Sequence, residues 1–211
     1  SKSGHLLWNY TAFYWPVAFP SAITHTQVFV AAAYLYSFDA VSGNYTWYFK
    51  GGVPITPPTA AGNVVVLGHN LPDSDVSVLS AVNQETGVAV WNHTIAPGTT
   101  TQLLVSQPVL STSETIFLLY EANTVYGPSN VGGVAAYDLS TGGLIWQQNA
   151  LHNFPYFTTD DATAYLQSPT LTTDEQLLIV QSNTAIFAYN VTNGDVAWHF
   201  EPPAGQGTWG R

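Results

Sequence analysis

One short pattern occurs five times in the 211-residue chain: a glycine, three further residues and a tryptophan. The fullest copy is FDAVSGNYTWYF at residues 38–49. It returns as AVNQETGVAVW, AYDLSTGGLIW and AYNVTNGDVAW, and a truncated copy, SGHLLW, stands near the start. Successive tryptophans of the pattern are 39 to 55 residues apart. Repeats of this period are units that must stack on their neighbours to bury a core, so the pattern constrains the fold more than any other feature.

Each copy predicts a tight connection between two antiparallel strands. Asp or Asn stands four residues before the glycine, where its side chain can accept hydrogen bonds from turn amides. The glycine itself supplies a positive φ without steric cost. Two further short strand signals precede each hairpin, often introduced by proline, as in SQPVL and QSPTL. Four short strands per repeat are typical of a blade, so the sequence predicts an all-β protein, a β-propeller of four-stranded antiparallel blades.

The repeats also predict the domain organisation, a single propeller segment over residues 1–211. The central strands, such as Val64 to Leu67, are continuous apolar runs, which indicates that neighbouring blades cover both of their faces. The boundaries that we expect are an orphan outer strand at 4–11 and four blades at about 16–50, 54–95, 102–149 and 164–201. The residues that we interpret as docking each blade on its neighbour are Trp8, Trp47, Trp91, Trp146 and Trp198.

The motif LYSFDAVSGNYTWYF and its copies AAYDLSTGGLIW and FAYNVTNGDVAW resemble the pyrroloquinoline quinone-type propeller repeat. This repeat occurs in quinoprotein alcohol dehydrogenases and in their non-catalytic relatives. The resemblance covers essentially the whole chain and implies a ring of seven or eight blades. The four blades would then be about half a ring, completed by further sequence or by another chain, and a compact four-bladed closure is the alternative. The orphan strand would end a preceding blade, or it would complete a blade of a neighbouring molecule and so build an oligomer or a filament.

The resemblance leaves the activity open, because the family contains both enzymes and scaffolds. Its quinone enzymes typically stack the cofactor against a vicinal cysteine pair and bind calcium beneath it, whereas this chain has no cysteine. The six histidines are scattered, without a metal-binding spacing. We therefore expect no catalytic residue, cofactor or metal here. A non-catalytic scaffold or binding module is favoured over a quinoprotein-type oxidoreductase completed by missing sequence and over a structural subunit that polymerises by strand exchange.

Function is expected at one rim of the propeller, where the links of variable length meet. Those links are residues 68–77, 121–133 and 149–167. Clustered carboxylates such as Asp73 with Asp75 suggest a calcium site, but neither that pair nor Asp160 with Asp161 matches a complete calcium loop. The candidate rim residues are His69, Asp73, Asp75, Glu121, Tyr126, His152, Tyr156, Asp160 and Asp161.

Charge and sequons bear on partners and compartment. Only 8% of the residues are charged, with three basic residues against 13 acidic ones, so nucleic acid and anionic membrane surfaces are improbable partners. No apolar run is long enough for a membrane span. We expect protein partners, including self-association, and a secreted or cell-surface glycoprotein. The sequons that would carry its glycans begin at Asn9, Asn44, Asn92 and Asn190.

Overall fold

The computed structural model describes residues 5–10, 19–95, 103–122, 132–149, 156–158, 164–182 and 185–201. All regular secondary structure in these ranges is β-structure, as 20 strands. Of the five antiparallel sheets in these ranges, four are blades that follow one another along the chain, each with its strands in sequential order. This arrangement confirms the prediction of an all-β protein built from propeller blades.

The first and fourth blades each contain four strands, and the inner strand of each is only two residues long. In both blades the second strand pairs with the first and third, and the third pairs with the fourth. Blade 1 consists of β1 (Ala22–Ile23), β2 (Gln27–Ala31), β3 (Leu35–Asp39) and β4 (Tyr45–Phe49). Blade 4 consists of β17 (Thr170–Leu171), β18 (Leu177–Gln181), β19 (Ile186–Asn190) and β20 (Val196–Phe200).

The second and third blades have an inner strand that is split into two pieces, both paired with the same long second strand. Blade 2 consists of β5 (Val53–Pro54), β6 (Thr59–Ala61), β7 (Val64–Asn70), β8 (Ser77–Asn83) and β9 (Ala89–Thr94). Blade 3 consists of β10 (Leu103–Val105), β11 (Val109–Leu110), β12 (Thr115–Ala122), β13 (Gly132–Asp138) and β14 (Leu144–Asn149). Prolines between the two pieces explain the split, because proline cannot donate a hydrogen bond to the ladder.

A separate hairpin precedes blade 4 and consists of β15 (Tyr156–Thr158) and β16 (Ala164–Leu166). The sequence analysis assigned residues from 164 onward to the fourth blade, whereas β16 pairs with β15. The second strand of blade 4 has five residues, compared with seven and eight in blades 2 and 3. On its inner side β18 pairs only with β17 among the described residues, so the sheet of blade 4 runs from Thr170 to Phe200.

The hairpin between the third and fourth strands has the same construction in every blade. In blade 2 the amide of Gly87 donates to the carbonyl of Asn83 over 3.0 Å, and the φ of Gly87 is 70°. The Asn83 side chain also accepts hydrogen bonds from the amides of Glu85 and Thr86. The other three glycines of the hairpins, Gly43, Gly142 and Gly194, have φ values of 70–75°. The repeated motif therefore encodes one turn, as the sequence predicts.

The core lies between the blades, and adjacent residues of one strand contribute to opposite interfaces. On β7, Val65 and Leu67 belong to the apolar cluster shared with blade 1. Val64 and Val66 belong to the cluster shared with blade 3. A third cluster joins blades 3 and 4, where Phe117 and Leu119 of β12 pack with residues of β18. The central strands are thus buried on both faces, which is why their sequences do not alternate.

Candidate functional site

Three of the five repeated tryptophans bridge consecutive blades, and a fourth, Trp8, makes the same contact with blade 1 from residues 5–10. Each indole N–H donates a hydrogen bond to a backbone carbonyl in the turn of the next blade. The donor and acceptor pairs are Trp8 with Ala40 (3.1 Å), Trp47 with Gln84 (2.7 Å), Trp91 with Leu139 (2.8 Å) and Trp146 with Val191 (2.8 Å). The indole therefore buries its ring and satisfies its only polar group in one contact.

The glycine of the next turn is the other half of this contact, which we call the blade lock. A Cβ atom built on Gly87 would lie 2.7 Å from Cδ2 of the Trp47 indole. The same construction places a Cβ on Gly43, Gly142 and Gly194 within 2.5–2.6 Å of Trp8, Trp91 and Trp146. Real side-chain atoms do not approach so closely. Glycine is therefore required for two reasons: the backbone has a positive φ, and the indole ring occupies the space that a side chain would need. The motif pairs its glycine with the tryptophan of the preceding repeat.

The first and last tryptophans of the pattern differ in their surroundings. Trp8 sits on Gly43 of blade 1, although residues 5–10 form no strand with any described residue. Trp198 of β20 is 45% exposed, compared with 8% for Trp47 and for Trp146. No described turn packs on its indole. Among the described residues, Trp198 is therefore the one blade tryptophan of the pattern without a glycine turn against its ring.

The sequon asparagines fall into two groups. Asn9, Asn44 and Asn92 are exposed, whereas Asn190 is partly buried. The side-chain oxygen of Asn190 accepts a hydrogen bond from the Thr192 amide over 2.9 Å, as its position in the turn motif predicts. The side-chain oxygen of Asn92 accepts one from the Ser80 hydroxyl over 2.6 Å. The amide nitrogen, to which a glycan would be attached, is not used by either contact.

The candidate rim residues do not form one cluster in the described part of the chain. Asp73 and Asp75 are exposed in the turn between β7 and β8, and the φ of Asp73 is 55°. We expected His69 and Glu121 in loops, but both lie within strands and are 1% and 8% exposed. Tyr156 begins β15. The others, Tyr126, His152, Asp160 and Asp161, lie outside the described residues.

The burial of His69 and Glu121 has a common cause. The second strands of blades 2 and 3 extend further than their apolar runs suggest, because the split inner strands pair with them near both ends. His69 faces Pro54 in the ladder, and Glu121 faces Leu104. The alternation of Val65, Leu67 and His69 on one face of β7 is the signal from which the position of His69 could have been predicted.

His69 is a buried titratable side chain in blade 2. Its Nε2 atom lies 2.7 Å from the Ser80 hydroxyl, which in turn donates to Asn92. Burial lowers the pKa of His69 to about 4, and the Asn70 backbone opposes this shift only in part. The ring is therefore neutral at pH 7. The Ser80 hydroxyl donates its proton to the Asn92 side-chain oxygen, so His69 does not activate Ser80 as a nucleophile.

A tyrosine cluster on blade 1 was missed by the sequence analysis. The rings of Tyr34, Tyr36, Tyr45 and Tyr48 form a chain with centroid separations of 5.9–6.3 Å. The Lys50 ammonium lies 5.1 Å from the centroid of the Tyr48 ring. A hydrogen bond with Tyr48 is the main cause that raises the pKa of Lys50. Tyr36, Tyr45 and Tyr48 lie on the paired strands β3 and β4, and Tyr34 directly precedes β3, so the spacing of these tyrosines along a predicted hairpin is the signal in the sequence.

Two observations bear on the quinone site of the enzymes that the repeat resembles. The chain has no cysteine to form the vicinal pair. Among the described residues there is also no group of three or more His, Asp or Glu side chains that could hold a metal ion. No α-helix in the described ranges has the length and apolar character needed to span a bilayer.

Together, the stacked four-stranded blades and their blade locks define a β-propeller of the pyrroloquinoline quinone repeat type. A family model described as outer membrane protein assembly factor BamB matches residues 1–207. The chain therefore belongs to this family. Among curated protein sequences, none matches the chain significantly.

Solved structures share the fold at low sequence identity. BamB from Moraxella catarrhalis is 16% identical with a TM-score of 0.61, over 86% of this chain and 52% of that one. The quinohemoprotein alcohol dehydrogenase from Comamonas testosteroni is 15% identical with a TM-score of 0.65, over 88% and 35%. A europium-containing methanol dehydrogenase is 13% identical with a TM-score of 0.62, over 86% and 41%. This chain thus spans about a third to a half of the length of these proteins.

Proposed function

We propose that the chain is a non-catalytic propeller scaffold that binds protein partners through the rim of variable links. The observation that carries this proposal is that the repeated polar and aromatic residues hold the blades together, whereas the links vary in length. The Asp or Asn, the Gly and the Trp of the repeats are engaged in turns and blade locks. The links between the second and third strands are left to vary, from residues 32–34 in blade 1 to 71–76 in blade 2.

The family supports the same assignment. Its description names a factor in the assembly of outer membrane proteins, a role in which other proteins are the binding partners. The lack of cysteine argues against a quinone enzyme of the type that the sequence resembles. A propeller presents a rigid, flat rim, on which side chains of the links can meet a partner without rearrangement of the blades.

We further propose that this scaffold is part of a secreted or cell-surface glycoprotein. The exposure of Asn9, Asn44 and Asn92 in sequons supports this assignment. The low charge content supports it as well, because the surface needs other polar groups for solubility. Intact mass of the natively sourced protein before and after enzymatic deglycosylation is the test. A mass decrease with loss of sugar from the exposed sites is expected, and an unchanged mass contradicts the proposal.

Binding through the rim is tested by site-specific photo-cross-linking in the native host. A photoreactive amino acid replaces Asp75, in the variable link of blade 2, or Glu85, in the fixed turn of the same blade. Both side chains are exposed, so they form a matched pair. The rim position is expected to cross-link one defined protein that the turn position does not capture. Equal cross-linking from both positions, or none from either, contradicts the proposal.

The oxidoreductase alternative is tested separately with added pyrroloquinoline quinone and calcium. A scaffold should neither bind the quinone by equilibrium dialysis nor reduce a dye when alcohols are supplied. Saturable quinone binding together with alcohol-dependent dye reduction would establish the enzyme instead.

A further inference from the structure

Blade 4 differs from the other blades in the residue that precedes the glycine of its blade lock. In blade 4 this residue is Asn193, which Gly194 follows. The corresponding residues of blades 1 to 3 are Ser42, Thr86 and Thr141, so blade 4 contains the only Asn-Gly pair of the sequence. Asparagine is chemically labile, because the backbone nitrogen of the next residue can attack its side-chain carbonyl carbon. A glycine in that position has no Cβ to obstruct the attack.

The reaction of an Asn-Gly pair needs no reagent other than water. The Gly194 nitrogen loses its proton to solvent and forms a bond to Cγ of Asn193. The bond from Cγ to the side-chain nitrogen breaks, and this nitrogen takes up a proton and leaves as ammonia. Water then adds to either carbonyl carbon of the resulting succinimide and breaks the bond of that carbon to the ring nitrogen. The product is aspartate or isoaspartate, and no oxidant or reductant is involved.

The turn of blade 4 holds the reacting groups together and exposes the side chain to water. Asn193 and Asp195 are both exposed. The Asp195 amide donates to Oδ1 of Asn193 over 3.0 Å, which draws electron density away from the carbonyl carbon that is attacked. The ring closed by this hydrogen bond contains the Gly194 nitrogen, so the carbon and its nucleophile belong to one compact turn. Nδ2 of Asn193 also donates to the Asp195 carboxylate over 2.7 Å.

The blade lock restrains the nucleophile of this reaction. The Gly194 amide donates to the Asn190 carbonyl over 2.8 Å, so the proton that must leave is engaged. Gly194 is buried and has a φ of 75°. A Cβ built on it would lie 2.6 Å from Cε3 of the Trp146 indole. Closure of the succinimide ring requires rotation of the Gly194 peptide unit, and the packed indole leaves no room for it. The pair therefore reacts when the lock between blades 3 and 4 opens.

Both products damage the same lock. Isoaspartate introduces an additional carbon into the backbone between residues 193 and 194, which displaces the Gly194 amide from the Asn190 carbonyl and from the indole. Aspartate keeps the backbone length, but it replaces an amide that donates to Asp195 with a second carboxylate. Like charges at this separation disfavour each other. Since ammonia is lost, the original asparagine does not re-form.

We propose that Asn193 is a site of spontaneous deamidation, that opening of the blade lock between Trp146 and Gly194 sets the rate of the reaction, and that the isoaspartate product keeps this lock open. The joint between blades 3 and 4 then records chemically how often it has opened. The proposal does not depend on the scaffold role, because the reaction requires only this turn and water.

The first test compares the folded and the unfolded wild-type chain at the same neutral pH and temperature, without and with guanidinium chloride. Peptide mass spectrometry measures deamidation at Asn193, and electron-transfer fragmentation distinguishes isoaspartate from aspartate. The folded chain is expected to react at least about tenfold more slowly, because the reaction must wait for local opening. The absence of deamidation at Asn193 in the unfolded chain overturns the proposal. Equal rates in the two states overturn it as well.

Two matched variants show whether the rate depends on this particular lock. Trp146→Leu opens the lock between blades 3 and 4, and Trp47→Leu opens the lock between blades 1 and 2. The first is expected to deamidate at Asn193 at least about tenfold faster than the wild type, and the second at the wild-type rate. Equal acceleration by both overturns the proposal. If either variant loses the native far-UV circular dichroism, the comparison uses Trp146→Phe and Trp47→Phe, which keep a ring and remove the indole N–H.

The consequence for the lock is measured by NMR of the tryptophan indole N–H groups. After incubation, the wild-type chain is expected to lose the Trp146 indole resonance from its folded position in proportion to its isoaspartate content. The Trp91 resonance, from the lock between blades 2 and 3, should stay. Asn193→Ser carries the residue of blade 1 and cannot deamidate, so it should keep both resonances. An unchanged Trp146 resonance in a chain that contains isoaspartate overturns the claim that this product keeps the lock open.

Discussion

The blade lock makes a quantitative prediction for Gly87. An alanine at this position adopts a left-handed backbone conformation, at a cost of about 1–2 kcal/mol. Its Cβ would also lie 2.7 Å from the Trp47 indole, so the ring must move. Displacing a packed ring costs about 1–3 kcal/mol, and weakening its hydrogen bond to Gln84 costs about 1 kcal/mol. We therefore expect Gly87→Ala to lower the free energy of unfolding by about 3–6 kcal/mol.

Gly62 provides a matched control in the same blade. Its φ is 54°, but a Cβ built on it meets nothing within 4 Å. Gly62→Ala therefore pays only the backbone cost and is expected to lower the free energy of unfolding by about 1–2 kcal/mol. Urea unfolding followed by far-UV circular dichroism measures both variants on the same chain.

A double-mutant cycle separates the clash from the backbone strain. In a Trp47→Leu background the ring is gone, so Gly87→Ala should cost no more than Gly62→Ala. Equal destabilisation by the two alanines in the wild-type background would refute the blade lock as an energetic element. Equal cost of Gly87→Ala with and without Trp47 would refute it as well.

Three further predictions concern single side chains. Asp138→Ala removes the acceptor of hydrogen bonds from Ser140 and Thr141 and should lower the free energy of unfolding, measured in urea, by about 1–2 kcal/mol. Asp138→Asn keeps an acceptor oxygen and should retain most of the wild-type stability. The pKa of His69 falls from 6.5 to about 4 on folding, so stability is complete above pH 6.5 and decreases by about 3 kcal/mol as the pH falls to 4. His69→Gln should lose this pH dependence in urea titrations at pH 7 and pH 4.5, and an unchanged dependence contradicts the assignment. Glu175 joins blades 3 and 4 by accepting from Thr112, so Glu175→Ala should cost about 1 kcal/mol by the same assay.

The site was less predictable than the fold. The sequence identified His69 and Glu121 as noteworthy polar residues, but it placed them in loops because an apolar run normally marks the extent of a strand. Their burial depends on the pairing of β5 and β10 with the distant ends of β7 and β12. Split inner strands with prolines between their pieces leave no clear periodicity, so this pairing could not be anticipated. The alternation of Val65, Leu67 and His69 indicates only on which face of β7 His69 lies.

The sequence alone determined the turn and the architecture of the blades, because a positive φ, a capping carboxylate or amide and short apolar runs are local requirements. The tertiary structure decided which copies of the motif contact each other. The glycine and the tryptophan of one motif are four residues apart, yet each makes its contact with a different blade. The contact between the Phe49 and His69 rings has the same origin, since Phe49 belongs to blade 1 and His69 to blade 2. Contacts between repeats depend on how whole sheets stack, and no single repeat encodes that geometry.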